Sequence, residues 1–276
     1  MPLQIGTVRA ALAGRYVIEK RVGRGGMASV YLAERVPEHH VVAIKVFAPI
    51  FQATKWSARF HREIEVLQQL DHPSIQPLLS SGEAGVLVYY VMPYAKGGSL
   101  EQKLLRGRRF SLDDTIATAE PIAEALDYAH EQNVVHRDIK PGNILFHDGR
   151  AILCDFGIAR AIRQAGGELL TSIGVRIGTP TYMSPEQALA VQEIDGRSDI
   201  YSLACVVYEM LVGEPVFTGK SDQTIMAKHA KQRPPSLRVV RPDLPECVEL
   251  TIRAALAKVP KDRPASGGEF VRRLMQ

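Results

Sequence analysis

The chain has 276 residues, 46% of them hydrophobic and 23% charged, and is therefore long enough to bury the cores of two packed lobes. Its net charge of +4 is spread along the sequence, without the basic stripe of a typical nucleic-acid-binding protein, so we expect no nucleic-acid partner. The three cysteines, at positions 154, 205 and 247, lie far apart, which excludes a CxxC zinc or redox motif and requires no oxidising compartment.

The start of the chain predicts no targeting segment. Residues 1–14 lack the long apolar core of a signal peptide and are predicted to be a short leader. The most apolar stretch, residues 200–212, contains Glu209 and is too short to span a bilayer. We therefore expect no membrane partner for the chain as given and a cytoplasmic location. The helix-like ending FVRRLMQ leaves open a natural polypeptide that continues, for example to a membrane anchor.

A glycine-rich hairpin is predicted next. The strand pattern YVIEKRV runs into Gly23-Arg24-Gly25-Gly26, and a second strand pattern, VYLAE, follows. A dinucleotide-binding fold would open a helix after its glycines, with an acid about 20 residues later on the ribose. Here a strand follows, and about 20 residues later stands Lys45, at the end of Val-Ala-Ile-Lys. The pattern favours a two-stranded flap over phosphate groups, with Ala28 in place of the third glycine.

Residues 56–70 predict an amphipathic helix, since apolar side chains recur there at helical spacing. The helix offers two acids, Glu63 and Glu65, as partners for Lys45. Strand patterns follow near residues 75–79 and 86–92, and then comes the short connection Pro93-Tyr94-Ala95-Lys96-Gly97-Gly98.

A long helix pattern over residues 112–131 leads to the most informative stretch, HRDIKPGN at residues 136–143. Twelve residues past Asn143 comes Asp155, the first residue of Asp-Phe-Gly. Asp138 is an acid that can accept a hydroxyl proton, Lys140 can offset phosphoryl charge, and Asn143 with Asp155 can hold magnesium. This inventory suits phosphoryl transfer. A surface turn with chance charges would explain one tripeptide, but not the octapeptide and Asp-Phe-Gly together.

The remaining sequence predicts a polar loop over residues 161–181, a segment GTPTYMSPE at residues 178–186, and a central helix over residues 195–213. The rest reads as helices broken by prolines.

Together these motifs resemble the serine/threonine protein kinases, and in particular the bacterial branch of the eukaryotic-like enzymes. The segments GRGGMASVYLA, HRDIKPGNIL and GTPTYMSPEQA carry the resemblance, which covers residues 15–275. It implies an α+β, bilobal fold. The expected parts are a small β-rich N-lobe with one major helix (residues 15–92), a hinge (93–98) and a larger, mainly helical C-lobe (99–276), with ATP in the cleft.

The resemblance also assigns roles. Asp138 takes the hydroxyl proton, Lys140 neutralises the γ-phosphoryl group, Thr179 hydrogen-bonds near both, and Lys45, held by Glu63, grips the α/β-phosphates. The implied cofactors are ATP and Mg²⁺, with Mn²⁺ as an alternative, and the metal ligands are Asn143 and Asp155. At the hinge Met92 is the gatekeeper, the Pro93 C=O accepts from adenine and the Ala95 N–H donates to it. The further nucleotide contacts implied are Val22, Gly23, Gly25, Gly26, Val30 and Ala43.

Two structural roles and one regulatory role are also implied. Glu186 should pair with Arg263, and Asp199 should brace the catalytic-loop backbone, although an acid there also suits the helix dipole. Arg137 and Arg160 match positions that bind an activating phosphate, and the candidate acceptors are Thr171 and Ser172.

The expected partners are proteins with Ser/Thr acceptors, and a kinase–kinase dimer would serve autophosphorylation. Ser99 and Gly142 stand where relatives that prefer arginine three residues before the target carry acids, so we expect little such preference.

Two other functions fit parts of the sequence. A pseudokinase, a binding module without catalysis, typically lacks the lysine or one of the two aspartates, and all three are present here; only Ala28 favours it. A small-molecule phosphotransferase on the same fold is disfavoured by the GTPTYMSPE segment, which seats the peptide in protein kinases.

Overall fold

The computed structural model describes residues 4–25, 28–47, 64–65, 67–85, 87–107, 109–156 and 180–276. They belong to two compact units. The first unit takes its described residues from Met1–Asp71 and Gln76–Ala95, and the second from His72–Ile75, Lys96–Gly157 and Gly178–Gln276.

The first unit is built on a five-stranded antiparallel sheet with the strand order β1-β2-β3-β5-β4. Its strands are β1 (Tyr16–Arg24), β2 (Ala28–Arg35), β3 (His40–Phe47), β4 (Ser80–Ala84) and β5 (Leu87–Pro93). Strand β5 lies between two neighbours and is buried along its length up to Met92, which explains its continuous apolar sequence LVYYVM. Residues 64, 65, 67 and 68 are helical, within the predicted helix of residues 56–70.

The predicted leader contains a helix that the sequence analysis does not predict, α1 (Ile5–Leu12). Val8 and Leu12 are fully buried in the apolar core of the sheet, together with residues of β1, β2, β3 and β5. The Arg9 guanidinium donates to the backbone carbonyls of β1, at 3.0 Å to Ile18 and 2.8 Å to Glu19. Helix α1 is therefore an integral part of the first unit. The spacing of Ile5, Val8 and Leu12 is the helical signal that could have revealed it.

The strand predicted near residues 75–79 is wrong, because β4 begins at Ser80. Ile75 makes only an isolated bridge, to Leu153, and Leu79 N–H donates to Val91 O at 2.8 Å just before the ladder begins. Pro77 lies inside the predicted run, and a proline cannot donate to a strand ladder. The second prediction in this region, residues 86–92, agrees with β5 within one residue.

The second unit is mainly helical. Its helices are α2 (Leu100–Leu104), α3 (Leu112–Glu131), α4 (Pro185–Ala188), α5 (Arg197–Val212), α6 (Asp222–Lys231), α7 (Glu246–Ala255) and α8 (Gly267–Leu274). A two-stranded hairpin, β6 (Ile144–His147) with β7 (Arg150–Leu153), completes it. The predicted α+β class is confirmed, since strands dominate the first unit and helices the second.

Helix α5 forms the centre of the second unit. Every residue from Ser198 to Val212 is buried, and Gly213, which caps the C-terminal end of the helix, has a left-handed φ of 89°. In the described part of the chain no helix is both long and apolar enough to cross a bilayer.

Candidate active site

A buried histidine fixes the loop that follows α3. The His136 side chain has no solvent exposure. Its Nδ1 accepts from the Asp138 backbone N–H at 3.2 Å, so its Nε2 carries the proton that is donated to Cys154 O at 2.9 Å. The ring also packs edge-on against Phe156, with centroids 4.6 Å apart. The backbone of Asp138 is therefore anchored to the strand end that precedes Asp155.

Asp199, at the start of α5, braces the same loop. Its fully buried carboxylate accepts from the backbone N–H groups of His136 and Arg137, each at 2.8 Å, and contacts His130 Nε2 at 2.9 Å. Arg137 has a φ of 67°, a left-handed conformation that a non-glycine residue keeps only where its surroundings hold it. The predicted bracing role of Asp199 is confirmed.

Three polar side chains converge directly after this brace. Lys140 Nζ lies 2.6 Å from Asp138 Oδ2, and both side chains are largely but not completely buried. Asn143 Nδ2 donates to Asp138 O at 2.7 Å and to Asp138 Oδ2 at 3.1 Å. Because the Asn143 amide nitrogen faces Asp138, its Oδ1 is the atom left to accept from another group or to bind a cation. The loop thus presents the Asp138 carboxylate beside the Lys140 ammonium group.

The β6–β7 hairpin brings Asn143 and Asp155 to the same end of a ladder. Ile144 pairs with Leu153, and the Cys154 N–H donates to Asn143 O at 2.9 Å. Asp155 follows with a φ of 68°. Amide and carboxylate oxygens are ligands for hard cations such as magnesium, which keeps few protein ligands and is completed by water and phosphate. Among the residues that the structure describes there is no cluster of three His, Cys, Asp or Glu side chains able to hold a metal alone.

The glycine-rich hairpin forms with alanine at its third position. Gly23 pairs with Val30 and Arg24 with Ser29, and the Gly25 N–H donates to the Ala28 C=O at 2.8 Å. Ala28 is the first residue of β2. Its methyl group is therefore compatible with the closed hairpin. Val22 lies at a register shift of β1.

Lys45 lies in the middle of the first unit's sheet. It pairs with Val30 on one side and Tyr90 on the other, and its Nζ is 5.9 Å from the centroid of the Tyr90 ring. Ala43, two residues earlier, pairs with Met92. The predicted nucleotide-contact residues Val30, Ala43, Lys45 and Met92 therefore lie on three adjacent strands.

The predicted hinge contains a contact that the sequence analysis missed. The Pro93 carbonyl accepts from Gln76 Nε2 at 2.6 Å, which uses one of its two lone pairs. The Ala95 N–H makes no hydrogen bond to any residue that the structure describes. Nothing in the Gln76 sequence context marks this contact, because it joins residues 17 positions apart.

The segment after residue 179 is fixed to the helices behind it. Ser184 caps α4, and Glu186 forms a bidentate pair with Arg263, with N–O distances of 2.7 and 2.8 Å. The side chains of Arg263 and Glu186 are 0% and 9% exposed. The predicted ion pair is confirmed. Five predicted site residues lie outside the described residues: Gly26, Glu63, Thr171, Ser172 and Thr179. Arg160, which was predicted to bind an activating phosphate, also lies outside them.

Two further acids lie near the catalytic loop and were not predicted as site residues. A Cβ placed on Gly142 would lie 3.6 Å from Glu101 Oε2, so a carboxylate from α2 lies beside position 142. Glu209 Oε2 accepts from the Tyr182 hydroxyl at 2.6 Å, and burial raises the pKa of Glu209. Positions 99 and 142 themselves carry no acid, but Glu101 in the first turn of α2 is an acid through which the arginine preference could arise by another route.

Comparison with known proteins agrees with this geometry. The sequence matches the protein kinase domain family over residues 16–273. It is 38% identical over 274 residues to the probable serine/threonine-protein kinase PknB of Bifidobacterium longum, covering 95% of this chain and 39% of the relative. It is also 38% identical over 263 residues to serine/threonine-protein kinase PknJ of Mycobacterium tuberculosis, covering 92% of this chain and 44% of the relative.

A third relative is serine/threonine-protein kinase PknB of Mycobacterium tuberculosis, 36% identical over 272 residues, or 96% of this chain and 43% of the relative. The chain thus spans less than half the length of these relatives. The match to the family nevertheless includes nearly the whole chain. This chain therefore belongs to the protein kinase domain family and resembles the serine/threonine kinases of bacteria, as its motifs predicted.

Proposed function

We propose that this chain is the catalytic domain of a serine/threonine protein kinase, which transfers the γ-phosphoryl group of ATP to protein hydroxyls. The observation that best supports this function is the group formed by Asp138, Lys140 and Asn143, on a loop whose backbone is held by Asp199. The bacterial relatives named as serine/threonine-protein kinases support the same function.

The chain's own residues divide the work as follows. Asp138 orients the acceptor hydroxyl and takes its proton, while Lys140, 2.6 Å from it, offsets the negative charge that develops on the transferred group. Lys45, with Glu63, positions the phosphates of the nucleotide. Such a reaction asks little covalent chemistry of the protein, so fixed positions and electrostatics account for most of the rate.

Asn143 and Asp155 are the residues that fit a divalent cation, and we propose magnesium, with manganese as a substitute. The bound cation would neutralise phosphate charge during transfer. Asn143 suits this role because its amide nitrogen is already engaged by Asp138. The adenine would be held by the Pro93 carbonyl and the Ala95 N–H. The Pro93 carbonyl would then accept two hydrogen bonds, one from adenine and one from Gln76 Nε2.

This function is tested by incubating the purified chain with magnesium-ATP and a mixture of Ser/Thr peptides, and by identifying the products by mass spectrometry. Lys45→Met and Asp155→Ala should each abolish transfer while the thermal unfolding midpoint stays near that of the wild type. Nucleotide binding without any transfer by the wild-type chain would favour the pseudokinase alternative.

We also propose that phosphorylation of Thr171 or Ser172, by a second copy of the chain, activates the enzyme. A phosphate carries nearly two negative charges, and facing Arg137 and Arg160 it could form about 1–3 charge-assisted hydrogen bonds. Arg137 Nη2 donates to the Ile194 carbonyl at 3.4 Å, a long and therefore weak hydrogen bond.

The activation proposal is tested by mapping phosphosites on the chain expressed alone. The Thr171→Ala/Ser172→Ala double variant should be severalfold less active than the wild type. Each single variant should have an activity between those of the wild type and the double variant. Unmodified hydroxyls in an active enzyme, or a fully active double variant, would refute this mechanism.

A further inference from the structure

The short turn Pro180–Tyr182, which begins one residue after Thr179, is held through its backbone carbonyls. The Thr181 carbonyl accepts from His229 Nε2 on α6 at 3.0 Å. The Tyr182 carbonyl accepts from Ser202 Oγ on α5 at 2.7 Å. Two helices of the second unit therefore fix successive peptide groups of the turn.

The hydrogen bonds at His229 have a defined direction. A carbonyl oxygen can only accept, so His229 Nε2 carries a proton toward Thr181, and in a neutral ring Nδ1 is then an acceptor. The group facing Nδ1 is the Tyr201 hydroxyl, at 3.0 Å, which must donate. The Tyr201 oxygen in turn accepts from Lys258 Nζ at 3.2 Å. We name this series of bonds, Lys258 to Tyr201 to His229 to Thr181, the relay.

The surroundings of the relay keep its central ring neutral. Both Tyr201 and His229 have no solvent exposure, and Phe217 packs edge-on against the His229 ring at 4.9 Å. Burial lowers the pKa of His229 to about 4 and that of Lys258 to about 8. At neutral pH the imidazole is therefore uncharged, as the direction of its hydrogen bonds requires.

The turn is also connected to the catalytic loop. The Gln187 side chain, on the helix that follows the turn, donates to the Arg137 carbonyl at 2.7 Å, next to Asp138. Ser198 Oγ on α5 donates to Ser184 Oγ at 2.8 Å, within the same segment. A shift of the turn would thus be felt one residue from the proposed proton acceptor.

From these contacts we infer that His229 and Tyr201 are positioning residues for the acceptor protein: the relay fixes the turn against which the polypeptide carrying the target hydroxyl is seated. This inference rests on the proposed kinase function and deepens it. Neither His229 nor Tyr201 is among the residues proposed to hold the nucleotide or to act on the reacting atoms, so the relay should act on the binding of the acceptor polypeptide rather than on the binding of ATP.

The kinetic test uses the whole chain with magnesium-ATP and a Ser/Thr peptide that the wild type phosphorylates. Tyr201→Phe removes one hydroxyl and keeps the ring, and His229→Phe removes both bonds of the imidazole. Each should raise KM for the peptide by about 3- to 10-fold, because one or two hydrogen bonds that position the turn are lost. KM for ATP should stay unchanged. His229→Gln, whose amide can still donate to Thr181, should recover most of the loss.

Tyr208→Phe is the matched control, because it removes a hydroxyl from the same helix α5 outside the relay. It should leave both KM values unchanged. An unchanged peptide KM in Tyr201→Phe and His229→Phe would overturn the inference, and so would an equal rise of KM for peptide and ATP.

Amide hydrogen exchange separates this inference from the kinase function itself. In Tyr201→Phe and His229→Phe the amides of residues 181–184 should exchange faster, with those of α7 unchanged, whether or not the chain is an active kinase. Unaltered exchange in residues 181–184 would overturn the relay, whereas a wild-type chain that transfers no phosphate would overturn the proposed function and the seating role that rests on it.

Discussion

The catalytic loop at residues 136–143 and the turn Pro180–Tyr182 are each held by one buried neutral histidine, but the means differ. At the loop His136 works beside a full negative charge, the Asp199 carboxylate, which accepts from two backbone N–H groups. At the turn His229 works in a series of side-chain bonds in which the charged group, the Lys258 ammonium, contacts Tyr201 rather than the histidine. The backbone of the loop is thus fixed by a carboxylate, and the backbone carbonyls of the turn by the neutral donors His229 and Ser202.

This difference has a functional meaning. The loop carries the proposed proton acceptor, whose position tolerates little error, because a misplacement of about 1 Å can cost on the order of 100-fold in rate. The turn would meet acceptor proteins of varied sequence. Breaking the supports of the loop should therefore lower the rate of transfer, and breaking those of the turn should weaken peptide binding; either change should also reduce stability.

The largest expected effect on stability concerns the buried pair behind the turn. Removing one partner of the Glu186–Arg263 pair, by Arg263→Met or by Glu186→Gln, leaves the other without its ionic partner and should cost about 3–5 kcal/mol in the free energy of unfolding. Urea denaturation measures this cost. The double variant should be more stable than the sum of the two single losses predicts, and strict additivity would contradict a direct interaction.

A pH effect should follow from His229. Its pKa in the folded state, about 4, lies below the ordinary value of 6.5, so between these values the unfolded chain binds a proton that the folded chain does not. Stability that is fully present above pH 6.5 should therefore fall, by up to about 3 kcal/mol, as the pH drops toward 4.

Calorimetric unfolding of the wild type and of His229→Gln between these pH values isolates this contribution, because the other titrating groups are common to both. The wild type should lose more stability than the variant on acidification. Equal losses would show that His229 does not control this transition.

The brace of the catalytic loop should have the next effect. Asp199→Asn keeps the size of the side chain but turns one acceptor into a donor that faces a backbone N–H. We expect about 2 kcal/mol less stability and a lower kcat, with KM for the peptide little changed. Steady-state kinetics at a temperature where the variant is folded provide the measurement. A raised peptide KM with a normal kcat in Asp199→Asn would contradict the proposal that the loop sets the rate of transfer while the turn sets peptide binding.

The smallest effect concerns arginine three residues before the target. Because positions 99 and 142 carry no acid, we expect little selection for it in a peptide-library screen, although Glu101 lies beside Gly142. Strong selection in the wild type would contradict this expectation. If Glu101→Gln then removed it, the carboxylate of α2 would be its source.

The sequence predicted those parts of the molecule whose geometry is set by neighbouring residues. HRDIKPGN places Asp138, Lys140 and Asn143 within six positions, so the loop itself brings them together. The glycine-rich hairpin and the long helix of residues 112–131 were predicted from local sequence in the same way. The Glu186–Arg263 pair joins residues 77 positions apart and was predicted only from the family resemblance.

The relay was not predictable, because its bonds join residues 28, 48 and 57 positions apart and form only when α5 and α6 pack. The same holds for Gln76 at Pro93 and for Glu101 at Gly142. In each case a common polar residue gains its role from tertiary packing and not from its spacing in the sequence.

Asp138 is the proposed proton acceptor, and the direct test of this role is the turnover of Asp138→Asn with magnesium-ATP and a Ser/Thr peptide. The variant keeps the size of the side chain and can still pack on its loop, so its thermal unfolding midpoint should stay close to that of the wild type. Its kcat should fall by about 100-fold or more, the usual contribution of a general base. Wild-type turnover in Asp138→Asn would show that Asp138 is not the proton acceptor.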